Sequence, residues 1–175
     1  MKKVIGGIAA LAFLLTLGSC GGPSEADMVG EWKIDSSSID VKLGEGVPTE
    51  VKAMVQAGKA DMLQEGSKEM EAASIKFEKG GKLIASAEGE EQEGKWKLDG
   101  DKLVVSMEEG GKEVSIAFNV DEVDGSKMTL TLTAEELLNT MKKQEPRAVD
   151  QIKAMTGTDV EKMIEGTSLT FSLKK

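Results

Sequence analysis

The segment 94–105 alternates apolar and polar residues on both sides of a glycine turn, which is typical of two half-buried β-strands. Trp96 is flanked by lysines before the turn, and Leu103 continues the alternation after it. The two-residue loop contains Gly100 together with the aspartate on one side of it or the other. Either register leaves the apolar residues on one face, so the segment predicts a β-hairpin that buries one side.

The same alternation recurs along the chain and predicts eight strands, joined mostly by short turns. Its apolar segments are 30–35 with 39–43, then 75–77, 83–87, 92–98, 103–107, 114–120, 128–132 and 169–173. In the first strand the phase changes across 36–38, which predicts a bulge. Such a meander buries its apolar face most simply by closing on itself. The fold expected is mainly β, an eight-stranded antiparallel up-and-down β-barrel. A β-sandwich is the alternative, although it usually needs longer cross-over links.

Two longer segments, 48–73 and 134–166, have helical rather than strand periodicity and follow strands 1 and 7. Tight turns join even strands to odd ones at one end of such a barrel, so both insertions emerge at the other end. Six of the ten methionines lie in these insertions, and methionine suits adaptable apolar contacts. The insertions therefore form either a deformable lid over an open mouth or ordinary core packed onto the barrel.

A barrel with an open mouth predicts an apolar pocket in its open half. The candidate lining residues are Val105, Met107, Val114, Ile116, Leu130, Leu132 and Leu169 from the strands, with Met54, Met62 and Met141 from the insertions. Trp32 and Trp96 fall near the closed end, where large aromatic side chains form a structural base. The expected function is binding of a small hydrophobic ligand. The alternative is a filled barrel that acts as a structural or protein-interaction module.

An acidic cluster falls on the predicted open rim. It consists of Glu88, Glu90, Glu91, Glu93, Glu108 and Glu109. These residues either recruit a cation or a basic partner, or form a solvated rim. The fixed Asp/Asn/Gly spacing of a calcium loop is missing, so the cluster does not predict a calcium site.

The first 20 residues resemble a bacterial lipoprotein signal peptide. A short basic head and an apolar run end in Leu17-Gly-Ser-Cys20, which looks like a lipobox. The resemblance implies cleavage after residue 19 and lipidation of Cys20; a plain secretory peptide is the alternative. The expected organisation is a signal peptide at 1–19, a lipidated tether at 20–28 and one barrel domain at 29–175. Cys20 would anchor the chain to a membrane of the bacterial cell envelope. Gly21, rather than an aspartate, favours the outer membrane, with a periplasmic or a surface-facing domain.

Composition narrows the function further. The chain has no histidine, no tyrosine and one cysteine, so the sequence predicts no metal site and no cofactor. Catalysis would depend on carboxylates, lysines or hydroxyls alone. A carboxylate hydrolase is the remaining enzyme hypothesis, and we expect a non-enzymatic protein. The formal net charge is −9, and loss of Lys2 and Lys3 with the signal peptide makes it −11. Such acidity argues against nucleic-acid binding. The candidate partners are the membrane, a small hydrophobic ligand and an envelope protein.

The ordered set of strand motifs resembles a known family. Gly30-x-Trp32 opens the first strand, and Phe77-Glu-Lys-Gly-Gly-Lys-Leu83 and Gly94-Lys-Trp96 look like the central hairpins of lipocalin-like lipoproteins common in Bacteroidetes. The resemblance covers about residues 28–133 and 167–173. It implies a calyx fold and often a binding role. Lipocalins commonly pack a basic residue of the last strand against the first-strand tryptophan. In this chain Lys174 and Lys175 are the basic residues near that position.

Overall fold

A computed structural model describes residues 22–65, 70, 72–144 and 160–175. Eight antiparallel strands pair in sequence order, and the last strand pairs with the first, so the sheet closes. The strands are β1 (Gly30–Lys42), β2 (Ser74–Phe77), β3 (Lys82–Ala87), β4 (Glu90–Asp99), β5 (Lys102–Glu109), β6 (Lys112–Val123), β7 (Lys127–Thr133) and β8 (Ser168–Lys174). The predicted eight-stranded up-and-down barrel is confirmed.

Short helices accompany the barrel at three places in the chain. They are α1 (Glu25–Met28) before β1, α2 (Thr49–Glu65) after β1, and α3 (Ala134–Gln144) with α4 (Val160–Ile164) between β7 and β8. The two predicted helical insertions are thus confirmed, whereas α1 lies in a segment expected to be a tether. Among the helices that the structure describes, none is both long enough and apolar enough to cross a bilayer. The predicted signal peptide and Cys20 lie outside the described residues.

Turn chemistry fixes the strand register as the sequence indicates. Asp99 pairs with Lys102, so the β4–β5 loop is Gly100–Asp101, and Gly100 has a φ of 66°. That positive φ suits glycine, which has no Cβ to clash with the backbone. In β1 the pairing with β8 slips between Asp35 and Asp40. The slip confirms the predicted bulge, and the Ser38 hydroxyl fills the gap by accepting a hydrogen bond from the Ser172 backbone N–H at 2.7 Å.

The end of the barrel that carries the tight turns is filled by large side chains. Trp32 and Met28 are fully buried there, and the Trp32 Nε1–H donates to the Met28 carbonyl oxygen at 2.7 Å. The indole N–H of the buried Trp96 donates to the Glu78 carbonyl oxygen at 3.0 Å. The Lys175 ammonium lies 4.4 Å from the centre of the Trp32 ring. This base therefore satisfies both indole N–H groups, and α1 seals it from below.

The two insertions leave the barrel side by side at the opposite end. The Thr167 side-chain oxygen accepts a hydrogen bond from the Gly44 backbone N–H at 2.9 Å, and the Thr167 carbonyl oxygen accepts one from the Ala134 backbone N–H at 2.9 Å. A Cβ on Gly44 would lie 1.9 Å from the Glu165 carbonyl oxygen, so only glycine permits this approach. One residue at the start of β8 thus links the first turns of both insertions.

Truncation of Met28 tests whether α1 is part of the core. Met28→Ala removes a fully buried side chain, so we expect the free energy of unfolding to fall by about 2–5 kcal/mol. The matched control is Met54→Ala, because the Met54 side chain is 73% exposed; its effect should stay within about 0.5 kcal/mol. Urea unfolding measures both variants. Equal effects of the two substitutions would contradict the assignment of α1 to the core.

Candidate functional site

The barrel encloses a cavity of about 460 Å³. Its wall comes from seven of the eight strands and is apolar except for one glutamine. The lining residues are Ile75, Phe77, Leu83, Ala85, Gln92, Leu103, Val105, Met107, Val114, Ile116, Phe118, Leu130, Phe171 and Leu173. The interior is therefore not filled, in contrast to what a purely structural barrel requires.

Fully buried side chains form the floor of the cavity. Phe77, Leu83 and Leu103 reach it from β2, β3 and β5, and Leu173 from β8. The Phe77 ring packs edge-to-face on Trp96, with ring centres 5.4 Å apart. The cavity floor thus rests directly on the tryptophan-filled base.

A second aromatic pair shapes the side wall. Phe118 of β6 and Phe171 of β8 meet edge-to-face with ring centres 5.9 Å apart. Leu130 of β7 lies between these two strands and also lines the cavity. Aromatic rings held in this way give a rigid apolar surface for a ligand.

Small residues on β3 and β4 leave the room that the cavity occupies. Gly94 pairs with Leu83 on one side and with Met107 on the other. A Cβ on Gly94 would lie 2.6 Å from the Ser106 carbonyl oxygen and 3.1 Å from the Met107 Cγ. Ala85 presents only a methyl group to the interior. Larger side chains at either position would enter the cavity or strain the sheet.

Gln92 is the polar residue of the lining, and it lies toward the mouth. Its Nε2 donates to the Glu108 carbonyl oxygen at 3.3 Å. Nearby lysines point outward and are engaged: Lys82 with Glu93 at 2.6 Å and Lys95 with Glu113 at 3.6 Å. The hydrogen bond that the Lys82 ammonium donates to the Glu93 carboxylate raises the pKa of Lys82. The inner wall therefore offers a ligand one neutral amide and otherwise hydrocarbon.

Five of the predicted pocket residues line this cavity. They are Val105, Met107, Val114, Ile116 and Leu130. Leu132 and Leu169, which pair with each other on β7 and β8, lie outside the lining. Met54 is exposed to solvent, Met141 packs against Leu138 and Val160, and the Met62 side chain lies outside the described part of the chain.

The predicted roof of methionines is absent among the described residues, because the helices lie beside the barrel. Lys102, whose neighbour Leu103 points inward, forms an ion pair with Glu136 of α3. Thr140 of α3 donates to the Ser115 carbonyl oxygen at 3.1 Å. Helix α3 therefore packs on the outer face of β6 and β7, with one ion pair to β5, rather than across the mouth.

Helix α2 keeps to the β1 side of the barrel. Its Lys59 pairs with Asp40 at 3.0 Å, and Val55 lies near Val41 and Leu43. Within the described residues, no side chain of α2 lines the cavity. The apolar stripe of this segment therefore does not form the expected lid.

The sequence interpretation missed nine of the residues that line the cavity. The residues it left out are Ile75, Phe77, Leu83, Ala85, Gln92, Leu103, Phe118, Phe171 and Leu173. All of them follow the inward phase of the same alternation, so the signal was present. The predicted lining was restricted to the open half of the barrel, because alternation alone does not show how far large side chains fill the interior.

The comparisons with known proteins agree with this architecture. The family profile of a lipocalin-like domain matches residues 28–130, which run from the end of α1 into β7. The chain belongs to the lipocalin-like domain family. A search of curated proteins and a search of solved structures each found no match.

In this lipocalin-like barrel the fold suits the binding or carriage of a small molecule. The basic residue expected against the first-strand tryptophan is Lys175, which follows β8. In the part of the chain that the structure describes, no three His, Cys, Asp or Glu side chains are grouped to hold a metal ion. The apolar cavity gives the described part of the lipocalin-like barrel a space that suits a small molecule.

Glycine-to-alanine substitutions test the geometry of the cavity wall. Gly94→Ala places a methyl group against the Ser106 backbone, so we expect the free energy of unfolding to fall by about 1–3 kcal/mol. The matched control is Gly58→Ala in α2, where the added Cβ meets nothing within 4 Å. It should stabilise the helix by up to about 1 kcal/mol. Thermal and urea unfolding measure both; a neutral Gly94→Ala would contradict the close strand contact.

Proposed function

We propose that this protein is a non-enzymatic envelope lipoprotein whose lipocalin-like barrel binds a small hydrophobic ligand. The observation that carries the proposal is the apolar cavity of about 460 Å³ inside the barrel. Ligand sites typically have volumes of roughly 300–1,000 Å³ and are lined by hydrophobic and aromatic residues with few polar groups. The cavity meets each of these conditions.

The chemistry of the wall supports binding through the hydrophobic effect. Two phenylalanines, Phe118 and Phe171, are held at right angles to each other on the wall, and aliphatic side chains surround them. Burial of apolar ligand surface contributes about 25 cal/mol for each Å² removed from water. A ligand that fills the cavity would replace roughly fifteen water molecules, at about 30 Å³ each. One acyl-type chain or a compact ring system has this size.

A non-enzymatic role is supported by what the sequence lacks and by the character of the cavity. The chain has no histidine and its single cysteine is the proposed lipidation site. Gln92 is an amide and does not exchange protons near neutral pH. General acid–base catalysis needs a titratable group within hydrogen-bond reach of the substrate, and none is among the lining residues.

Attachment through Cys20 to the outer membrane is the proposed location, with lipidation of the type found in Bacteroidetes lipoproteins. The sequence pattern Leu17-Gly-Ser-Cys20 supports it. Helix α1 begins at Glu25 and lies at the closed base. A lipid on Cys20 would therefore hold the base toward the bilayer, with the mouth directed away from it.

Filling the cavity tests the binding proposal. Ala85→Phe adds a phenyl ring to the cavity wall, so the affinity for the neutral fluorescent probe N-phenyl-1-naphthylamine should fall by about tenfold or more. The matched control is Ala57→Phe on an exposed position of α2, which should bind the probe like the unchanged protein. Fluorescence titration measures all three proteins, with circular dichroism to check folding. Equal probe binding by the unchanged protein and Ala85→Phe would refute the cavity as the site.

Replacement of Cys20 tests the proposed anchor. Cys20→Ala should abolish incorporation of radiolabelled palmitate, because the thiol that carries the lipid is gone. Ser19→Ala keeps a small residue before the cleavage site and should remain labelled. Undiminished labelling of Cys20→Ala would refute lipidation at this residue.

A further inference from the structure

We infer that the cavity selects ligands whose polar end donates hydrogen bonds and carries no negative charge, such as a long-chain alcohol or amine, over ligands that end in a carboxylate. The inference rests on the proposed function, since it names the class of ligand for the same cavity. Three features of the site support it: the cavity wall, the single polar side chain of the lining, and the rim.

The cavity wall has no cation to pair with a carboxylate. Among the described lining residues, thirteen are apolar and the remaining one is Gln92. An ionised carboxylate buried without a partner has a large desolvation cost, whereas a hydroxyl costs far less. A charged head group of either sign would therefore stay outside, at the mouth, where the amide and the rim act on it.

The hydrogen bond of Gln92 leaves the amide oxygen and one amide hydrogen available to a ligand. Its partner is the Glu108 carbonyl oxygen, which only accepts hydrogen bonds, so the amide nitrogen must face it. The amide oxygen, Oε1, has no donor among the described residues. An alcohol or ammonium group can donate to Oε1, whereas a carboxylate can only accept and would use the second amide hydrogen. The polar group nearest the mouth thus offers an acceptor to a ligand that donates.

The rim beside Gln92 carries an excess of negative charge. Glu88, Glu90 and Glu91 lie at the β3–β4 connection, and Glu108 lies near the end of β5. Lys112, at the start of β6, is a positively charged residue on the same rim. Carboxylates that lie within a Debye length of a head group, about 8 Å at physiological salt, repel an anionic head group and attract a cationic one.

The neighbouring lysines do not reverse this balance. Lys82 is held by Glu93, and Lys95 is paired with Glu113. Lys82 precedes the lining residue Leu83, and Lys95 precedes the buried Trp96, so both lysines lie on the outward phase of their strands. Their ammonium groups are therefore directed away from the cavity. The inner wall and the rim therefore disfavour a carboxylate, and the amide offers an acceptor to a ligand that donates.

Competition among ligands with one chain length tests the inference. The protein as purified from the cells that make it is loaded with N-phenyl-1-naphthylamine, and the probe is displaced with dodecanol, dodecylamine or dodecanoate at about pH 7.5, where the acid is ionised and the amine is protonated. The cavity-specific signal is the part that Ala85→Phe removes. We expect dodecanol and dodecylamine to displace the probe at concentrations about tenfold or more below that of dodecanoate.

Gln92→Lys tests the inference by adding a positive charge at the mouth. An ammonium group at this position should raise the affinity for dodecanoate about tenfold and lower that for dodecylamine. The matched control is Gln56→Lys, the same substitution on an exposed position of α2. It should leave the ranking of the three ligands unchanged. If Gln92→Lys does not fold, the ranking by the unchanged protein decides alone.

The outcomes separate this inference from the proposed function. Displacement by the alcohol and the amine ahead of the carboxylate supports it. Displacement by dodecanoate at an equal or lower concentration overturns the inference and leaves cavity binding intact. Absence of a cavity-specific probe signal overturns the proposed function, and the inference falls with it.

Discussion

The indole of Trp32 connects both ends of the described chain to the base of the barrel. Its N–H donates to the Met28 carbonyl on the N-terminal side, and Lys175 lies over the ring on the C-terminal side. Since α1, β1 and the end of β8 meet at one side chain, large residues can pack tightly there. The barrel is thus filled from the base upward, and the unfilled volume is left toward the mouth.

The interior changes in character along the barrel axis. Two indoles occupy the base. Phe77 connects the base to the cavity floor, because its ring packs against Trp96. Above the floor, Ala85 presents only a methyl group to the cavity, and Gly94 adds no side chain between Leu83 and Met107. The polar contribution appears only at Gln92, near the solvent. A ligand would therefore contact hydrocarbon along most of its length and water or amide at one end.

Much of the barrel could be predicted from the sequence because its signals are local. The alternation in β4 and β5, the glycine at 100 and the serines of the β1 bulge each act within a few residues. The helices could not be placed in the same way. The stripe that contains Met54 predicts an apolar face but not its partner, and that partner depends on tertiary packing. The depth of the cavity was missed for a similar reason, since the space beside Gly94 depends on Met107 and Leu83 from neighbouring strands.

Closure of the sheet has a consequence for how the chain reaches this fold. The Ser38 hydroxyl and the Ser172 N–H that meet at the β1 bulge are 134 residues apart in sequence. While the chain folds, β1 therefore keeps one unpaired edge until β8 pairs with it, and such an edge can pair with another chain. Lys33, Asp35 and Asp40 stand in the β1 pairing with β8, and charges on an open edge oppose that association. The arrival of β8 at the sheet thus ends the period in which the folding protein is exposed to aggregation.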